Sequence, residues 1–261
     1  MIPKIIHYCW FGNSPLPPLA IKCIKSWRKH CPDYEIKEWN ETNYDITKNK
    51  YMHEAYQNKK WGFVPDYARL DIIYKYGGIY FDTDVEVIKN LDALLQNEAY
   101  AGFESEDMVA LGLGFAAKKE MSIIKELRDV YETIHFDNQD GTLNLTASPV
   151  YQTNILVKNG LITNNTMQIV NDMQIYPTEY FSPLKNELGV FLPKKNTYTI
   201  HHYMGSWLDG DKKKWNDVRI KLGNVFGRKI GNKIGNFFYV FSTAGFRGIW
   251  KKIRGRDDWQ G

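Results

Sequence analysis

Long apolar runs are missing from this sequence, and cysteine is rare. No stretch of about 18 apolar residues occurs in the chain, so the sequence predicts no membrane-spanning helix. The three cysteines, Cys9, Cys23 and Cys31, are odd in number and lack CxxC spacing. We therefore expect buried, reduced thiols, as in a cytoplasmic protein, rather than a disulfide framework. The opening residues, MIPKIIHYCWFG, lack the basic leader and cleavage site of a signal peptide, and none is expected.

The chain has the composition of a folded globular protein, with 43% hydrophobic and 25% charged residues among its 261. Disorder of the whole chain is thereby excluded. Charge is divided unevenly: residues 211–261 carry 13 Lys or Arg against 4 Asp or Glu, whereas residues 1–210 carry 21 against 26. We therefore expect an acidic body and a basic tail with separate roles.

Short strand-like runs alternate with helical patterns over much of the body. PKIIHYCWF and YEIKEW are typical of strands, and the apolar spacing of LAIKCIKSWRKHC between them is mostly helical. In FVPDYARLDIIYKYGG, Pro65 suits a first helical turn, and Gly77 and Gly78 suit its end before a strand in IYFDTD. VALGLGFAAKK is predicted as a further strand. This alternation predicts an α/β sheet covered by helices, in which ligands gather at the carboxyl ends of strands.

Three acids, Asp82, Asp84 and Glu86, directly follow the apolar strand in IYFDTD. In an extended chain they share one face at steps of about 6.6 Å, so they repel each other and positive partners are expected beside them. Oxygen-rich clusters suit Mg²⁺ or Mn²⁺, and such an ion usually meets a phosphate. The same spacing fits a solvated strand end. A phosphatase of the aspartyl-phosphate type is disfavoured because Glu86 stands where that class has Thr or Val.

The sequence that surrounds these acids is more specific for a protein family than the three acids are. FVPDYARLDIIYKYGGIYFDTDVEV resembles the sugar-binding region with the DXD motif in family 32 glycosyltransferases, which are distantly similar to the glucosylating domains of clostridial toxins. IPKIIHYCWFG, CIKSWRKHCPDYEIKEWN, TASPVYQTN and IHHYMGSWL agree with the same family in the same order. The resemblance covers roughly residues 1–208 and is specific for the family, not for a substrate.

The resemblance implies a GT-A fold, a Rossmann-like α/β domain over residues 1–208, with a nucleotide-sugar donor, Mn²⁺ or Mg²⁺, and retention of anomeric configuration. Asp82 then lies near the ribose and the metal, and Asp84 binds the metal. Asp66 and Arg69 match a pair that holds donor-sugar hydroxyls, although their spacing on one helix face also fits a simple ion pair. These four residues are the predicted catalytic set.

Two aromatic or histidine-containing segments complete the predicted donor site. His7, Tyr8 and Trp10 end the first strand, where the family binds the nucleotide base; His7 also fits a purely structural role. In IHHYMGSW, the resemblance implies a loop that closes over the diphosphate. His202 would be a metal or phosphate partner there. Ser206 and Trp207 would contact the diphosphate, Trp207 through its indole N–H.

Acceptor recognition is assigned on weaker grounds. Glu104 and the stretch from Ser148 to Asn154 lie where the family places residues near the acceptor, and Gln152 is the residue we select from that stretch. The sequence has SPV where the family more commonly has a GP pair. Polar residues that open a helix are also ordinary caps.

Residues 209–261 form the predicted tail, in which Lys and Arg alternate with aromatic side chains. This composition suits a basic amphipathic helix on an anionic membrane surface. Packing on the body, as in a dimer contact, is the alternative, and nucleic acid is not expected.

Together these features predict a metal-dependent, retaining hexosyltransferase. The expected donor is a UDP-hexose, galactose or glucose, and the expected acceptor is lipid-linked or an oligosaccharide, in bacterial capsule or other surface polysaccharide synthesis at the inner face of the membrane. The alternative is a toxin-like protein glycosyltransferase, or a nucleotide-sugar-binding protein with weak catalysis. The intact DTD, Asp66 and Arg69 favour the enzyme.

Overall fold

The computed structural model describes residues 1–138, 140–183 and 191–205. Their helices, in chain order, are α1 (Pro18–His30), α2 (Lys50–Gln57), α3 (Pro65–Tyr76), α4 (Ser122–Asp129) and α5 (Ser148–Lys158). Their strands are β1 (Ile5–Cys9), β2 (Glu35–Trp39), β3 (Gly78–Tyr80), β4 (Val85–Val87), β5 (Ala99–Gly102), β6 (Phe115–Ala117), β7 (Gln168–Val170), β8 (Met173–Tyr176) and β9 (Thr199–His201).

Seven of these strands form one mixed sheet in the order β2-β1-β3-β6-β5-β8-β7. β1 pairs in parallel with both β2 and β3, and helices cover the connections between them. β6 runs antiparallel to β3 and to β5, which reverses the chain direction in the middle of the sheet. The predicted α/β fold class is confirmed. As the GT-A prediction requires, the DTD sequence follows the carboxyl end of β3, beside the parallel strand β1.

The apolar core lies on both faces of this sheet because successive strand residues point to opposite sides. One face packs against α2, α3, α4 and α5, and the other packs against α1 and β4. Within β5, for example, Ala99 and Ala101 join the first cluster and Tyr100 joins the second. The inner strands of the sheet are therefore mostly apolar, as in sheets that are buried on two faces, whereas the edge strand β2 also carries charged residues.

Helix α3 is buried on every side: the eight residues from Asp66 to Ile73 are all buried. Charged residues in such a helix need partners, because an unpaired charge away from water is costly. Asp71 accordingly receives hydrogen bonds from the Tyr44 hydroxyl and the Lys75 ammonium, each at 2.8 Å. At the end of α3, Gly77 (φ 65°) and Gly78 (φ 100°) adopt left-handed conformations and turn the chain into β3, as predicted.

Strands β4 and β9 form a separate antiparallel pair, fixed to the body by α1. The Trp27 indole donates a 2.7 Å hydrogen bond to the Val85 carbonyl, and the Ser26 hydroxyl accepts one of 2.9 Å from the Val87 amide. Since β9 lies beside β4, residues about 115 positions apart in the chain meet next to the DTD sequence.

Three sequence-based expectations need correction. The segment VALGLGFAAKK is not one strand: a short 3₁₀ turn over Leu111–Leu113 precedes β6. The apolar spacing of EMSIIKELRDVYETI predicts one continuous helix, but α4 is shorter and is followed by a 3₁₀ turn at Val130–Glu132. β7 and β8 were missed, because they are short and lie among Asn and Thr residues that resemble a loop.

Other expectations are confirmed or lie outside the described residues. Cys9, Cys23 and Cys31 are free and buried. Among the described helices, none is long and apolar enough to cross a membrane. The predicted boundary near residue 208 and the tail over 209–261 fall outside the described ranges, so both stay predictions.

Candidate active site

The chain turns between the two strands that flank the DTD sequence. Thr83 and Asp84 form a tight turn, closed by a 3.1 Å hydrogen bond from the Val85 amide to the Asp82 carbonyl. The expectation of an extended chain with Asp82, Asp84 and Glu86 on one face is therefore wrong. The turn brings the first two carboxylates to one site and directs Glu86 away from it.

Asp84 is buried and held by two donors from the segment around β9. Its Oδ2 accepts a 2.7 Å hydrogen bond from the Met204 amide, and its Oδ1 accepts one of 3.1 Å from the His201 imidazole Nε2. Burial opposes the charged form of Asp84, but the adjacent His201 and these hydrogen bonds outweigh it and lower the pKa to about 2. Asp84 is thus an ionised carboxylate at any physiological pH.

His201, not His202, is the histidine beside the metal-site acids. Val85 pairs with His201 across the β4–β9 ladder, and this register places the His201 ring at Asp84. The His202 Nε2 instead donates to the Glu86 Oε2 at 2.8 Å, and the Lys22 ammonium reaches the same oxygen at 3.0 Å. The possible metal-binding group therefore contains His201 and not His202, whose ring binds Glu86. A contact of His202 with phosphate stays a prediction. The positive partners expected beside the acids are present.

Asp82 meets the Asp66–Arg69 pair of α3. Asp66 and Arg69 are both buried, and the Arg69 Nη2 pairs with the Asp66 Oδ1. The Arg69 Nη1 lies 3.4 Å from the Asp82 Oδ1. Packing around the carboxylate raises the pKa of Asp82, with Arg69 opposing and Asp84 adding to the rise, although 34% of the side chain stays exposed. The predicted catalytic residues therefore lie together.

The acids and His201 suit a divalent cation. One ligand atom each from Asp82, Asp84 and His201 lies within 4.8 Å of the others. Opposite ligands of Mg²⁺ are about 4.2 Å apart, so small side-chain movements would complete the coordination. Of the two ring nitrogens of His201, Nε2 faces Asp84, and Nδ1 is buried without a hydrogen-bond partner among the described residues. Two carboxylates and an imidazole fit Mn²⁺ or Mg²⁺, with open positions for phosphate.

Helix α5 and the 3₁₀ turn at Leu111–Leu113 enclose Asp82 and Arg69. The Ser148 hydroxyl accepts a 3.2 Å hydrogen bond from the Arg69 Nη2. Gly112 faces Asp82 so closely that a Cβ atom there would lie 2.2 Å from the Asp82 Oδ2. The Gln152 Oε1 accepts a 2.9 Å hydrogen bond from the Leu111 amide, and its side chain is fully buried.

The local contacts of these residues agree with what the sequence comparisons find. Residues 17–101 match the family model for the glycosyltransferase sugar-binding region containing the DXD motif. This part of the chain is therefore similar to the DXD sugar-binding region of glycosyltransferases. This match includes Asp66, Arg69, Asp82 and Asp84, and it confirms the resemblance to DXD-motif glycosyltransferases.

Two curated relatives of this DXD region are yeast proteins. The chain is 31% identical to inositol phosphoceramide mannosyltransferase 3 of Schizosaccharomyces pombe, over 49% of this chain and 37% of that protein. It is 29% identical to inositol phosphoceramide mannosyltransferase 1 of the same yeast, over 38% and 33%. The chain thus spans about a third of the length of the curated relatives it matches.

Three glycosyltransferases are among the solved structures that are similar to part of this chain. PaToxG glycosyltransferase shares 20% identity over 60% of this chain and 69% of its own, with a TM-score of 0.48. A glycosyltransferase involved in glycosylation of the major capsid of PBCV-1 shares 11% over 78% and 96%, at 0.42. GlyE of Streptococcus pneumoniae TIGR4 shares 15% over 69% and 46%, at 0.40.

The predicted base-binding residues, N-terminal to the DXD region, are largely occupied by other contacts. The His7 Nε2 donates to the Gly77 carbonyl at 3.0 Å, and its Nδ1 accepts from the Trp39 indole at 3.1 Å. The buried Tyr8 donates its hydroxyl to Glu38 at 2.5 Å. These contacts brace β1 and β2, and the predicted contacts of His7 and Tyr8 with the donor stay predictions. Trp10 is partly exposed and donates to the Ser14 carbonyl at 2.6 Å, so only its ring face is left for a base.

His7 is expected to make the stability of the fold depend on pH. Burial lowers the pKa of His7 to about 4, from the ordinary 6.5, with the Gly77 carbonyl opposing. Between these values the unfolded chain binds a proton that the folded chain does not. Acidification from pH 7 to 4 should therefore cost roughly 3 kcal/mol of unfolding free energy through this group. Urea unfolding of His7→Gln should show a shallower loss over the same range.

The control for this experiment is His30→Gln, which removes a partly exposed histidine at the end of α1. Its pH profile should match that of the parent chain. A His7→Gln profile as steep as the parent's would show that the loss at low pH comes from other groups.

The predicted acceptor residues have different surroundings. Glu104 follows β5 and lies close to the metal-site residues: burial and Asp82 raise its pKa, and His201 opposes this. Gln152 uses its oxygen on the Leu111 amide, so its side chain faces the protein interior rather than an open acceptor site. Its assignment to the acceptor stays a prediction. Ser206 and Trp207 lie outside the described residues.

Sequence reasoning missed two groups that shape the site. Gly112 carried no signal beyond a glycine in a supposed strand, and its role depends on the packing of Asp82 against it. The Met204 amide, a donor to Asp84, cannot be read from side-chain identity. Ser148 was within a selected stretch, but only the structure gives its contact with Arg69.

Proposed function

We propose that this chain transfers a hexosyl group from a nucleotide-sugar to an acceptor hydroxyl, with retention of configuration. The main support for this proposal is that Asp82, Asp84 and His201 lie close together, beside the buried Asp66–Arg69 pair. All of these residues except His201 lie in the part of the chain that matches the DXD sugar-binding region. The bond between the anomeric carbon and the phosphate oxygen breaks, and a bond to the acceptor oxygen forms. The acceptor proton leaves on the released diphosphate.

Each described residue has a role in this proposal. Asp82 and Asp84 hold Mn²⁺ or Mg²⁺ with His201, and the bound ion supplies the positive charge that stabilises the leaving diphosphate. Asp66 and Arg69 bind hydroxyl groups of the donor sugar, since a buried carboxylate and guanidinium offer charge-assisted hydrogen bonds in fixed directions. The Met204 amide and His201 keep Asp84 charged and oriented.

Two observations bear on the identity of the donor and the acceptor. UDP-galactose and UDP-glucose follow from the sequence resemblance. The names of the two yeast relatives instead favour mannose and a lipid with a phosphoinositol head group. We include both sets in the test, and a lipid-linked acceptor fits either one. The basic tail supports a peripheral position at the cytoplasmic face of a membrane and a part in surface polysaccharide synthesis.

A donor panel tests the proposal directly. The purified chain is incubated with UDP-glucose, UDP-galactose and GDP-mannose, with Mn²⁺ or with EDTA, and nucleotide release is measured. One donor is expected to release its nucleotide, EDTA is expected to stop the release, and excess Mn²⁺ is expected to restore it.

The anomeric configuration of a saccharide product, read by proton NMR, tests retention separately. Release that continues in EDTA would contradict the role of the cation. Nucleotide binding without release from any donor would favour a nucleotide-sugar-binding protein.

A further inference from the structure

Helix α5 contacts the segment that packs against Asp82 through two successive side chains. The Gln152 Oε1 accepts from the Leu111 amide at 2.9 Å. The Thr153 hydroxyl accepts from the Val109 amide at 3.0 Å and lies 3.3 Å from the Val109 carbonyl. Gln152 and Thr153 are both buried. These hydrogen bonds hold residues 109–111 in the way that a neighbouring strand would.

Residues 109–111 lead directly into Gly112, and Gly112 borders the Asp82 carboxylate. The Gly112 carbonyl accepts a 3.3 Å hydrogen bond from the Asp82 amide. The Gly112 Cα leaves no room for a methyl group, because a Cβ there would lie 2.2 Å from the Asp82 Oδ2 and 3.3 Å from the Arg69 Nη1. A shift of this segment therefore changes the space in which the carboxylate sits.

The first turn of α5 is also connected to Asp82, in this case through Arg69. Ser148 accepts from the Arg69 Nη2 at 3.2 Å, and the Arg69 Nη1 lies 3.4 Å from the Asp82 Oδ1. Ser148 and Gln152 are four residues apart and so lie on one face of α5. Asp82 is thus bordered on one side by Gly112 and on another by Arg69. Helix α5 contacts Arg69 directly and reaches Gly112 only through the preceding residue, Leu111.

We infer that Gln152 is a positioning residue that sets the orientation of Asp82 for the divalent cation. This inference rests on the proposed function, because it concerns the same cation site. Asp82 needs such support, since its side chain is 34% exposed and only Arg69 contacts its carboxylate as a cationic donor among the described residues. Gln152 touches no reacting atom; it acts through the Leu111 amide and Gly112.

Direct Mn²⁺ binding to the full chain, measured by calorimetry without any donor, is the experiment. Gln152→Met keeps the size of the side chain and removes the acceptor, and it is expected to weaken Mn²⁺ binding about tenfold. Gln152→Glu keeps an oxygen for the Leu111 amide. It replaces only the Nε2, which has no partner among the described residues, and should restore binding to within about twofold.

Leu156→Ala is the matched control. Leu156 is fully buried on α5 and lies in the core cluster, so its truncation lowers stability but leaves the hydrogen bonds from Gln152 and Thr153 to residues 109–111 in place. Its Mn²⁺ affinity should equal that of the parent chain. Equal affinities in the parent and Gln152→Met would overturn the positioning role and leave the proposed function intact. Weakened binding in Leu156→Ala as well would also overturn it, since general destabilisation would then explain the loss. A parent chain that binds no Mn²⁺ would overturn both proposals.

Discussion

Asp84→Asn is expected to lower donor-dependent nucleotide release by about 1000-fold. Asparagine keeps the shape of the side chain and one acceptor oxygen, but it loses the negative charge that faces His201 and the cation. The pKa of about 2 shows that the folded chain favours this carboxylate in its charged form, through His201 and the Met204 amide, against the cost of burial. Release should be measured at saturating donor over a range of Mn²⁺ concentrations.

A control variant shows whether Asp84→Asn loses nucleotide release because the cation site is changed or because the chain unfolds. Asp33→Asn is the control: it removes the same charge from a side chain that is 55% exposed and pairs with Lys4 at the surface. Surface ion pairs contribute little, so its release rate should stay within about twofold of the parent. If Asp84→Asn retained more than about a tenth of the parent activity at every Mn²⁺ concentration, Asp84 would not be a cation ligand.

Gly112→Ala is expected to abolish measurable Mn²⁺ binding and to lower nucleotide release at least 100-fold. The added methyl group would meet the Asp82 Oδ2 at 2.2 Å and the Asp82 Cγ at 3.1 Å, so the carboxylate must rotate out of its position. The backbone does not forbid the change, because Gly112 is outside the glycines with positive φ. The fold should therefore survive, with a loss of about 1–3 kcal/mol from crowding.

Gly160→Ala is the matched control, because it is expected to lower stability and to leave Mn²⁺ binding unchanged. Gly160 has a φ of 97°, which strains an L-residue, but a Cβ there would meet nothing within 4 Å. Its stability should fall by about 1–2 kcal/mol while Mn²⁺ binding stays unchanged. Normal Mn²⁺ binding by Gly112→Ala would show that Asp82 is not held against Gly112 in solution.

The helix α3 and the residues on its inner face were predictable from sequence. Pro65 at its start and Gly77 and Gly78 at its end fix its limits, and the spacing of Asp66 and Arg69 places both on one side. The strand that follows was likewise identified by its apolar run. These features depend on neighbours in the chain, so local sequence specifies them.

Local sequence did not predict which of the two adjacent histidines, His201 or His202, faces Asp84. Adjacent residues of a strand point to opposite faces, so one of the two must face Asp84 and the other must not. Which one does depends on the pairing of Val85 with His201, and that register joins segments far apart in the sequence. The two short strands β4 and β9 carry too little pattern for the register to be read without the fold.

The sequence by itself determined the α/β class, the position of Asp82 and Asp84 directly after a strand, and the free, buried state of the cysteines, because each follows from local periodicity or residue type. Only the tertiary structure decided that the DTD sequence is a turn, that Glu86 leaves the site for Lys22 and His202, and that Gly112 borders Asp82. Those outcomes depend on packing between distant segments, where a shift of one residue or one methyl group changes which side chains meet.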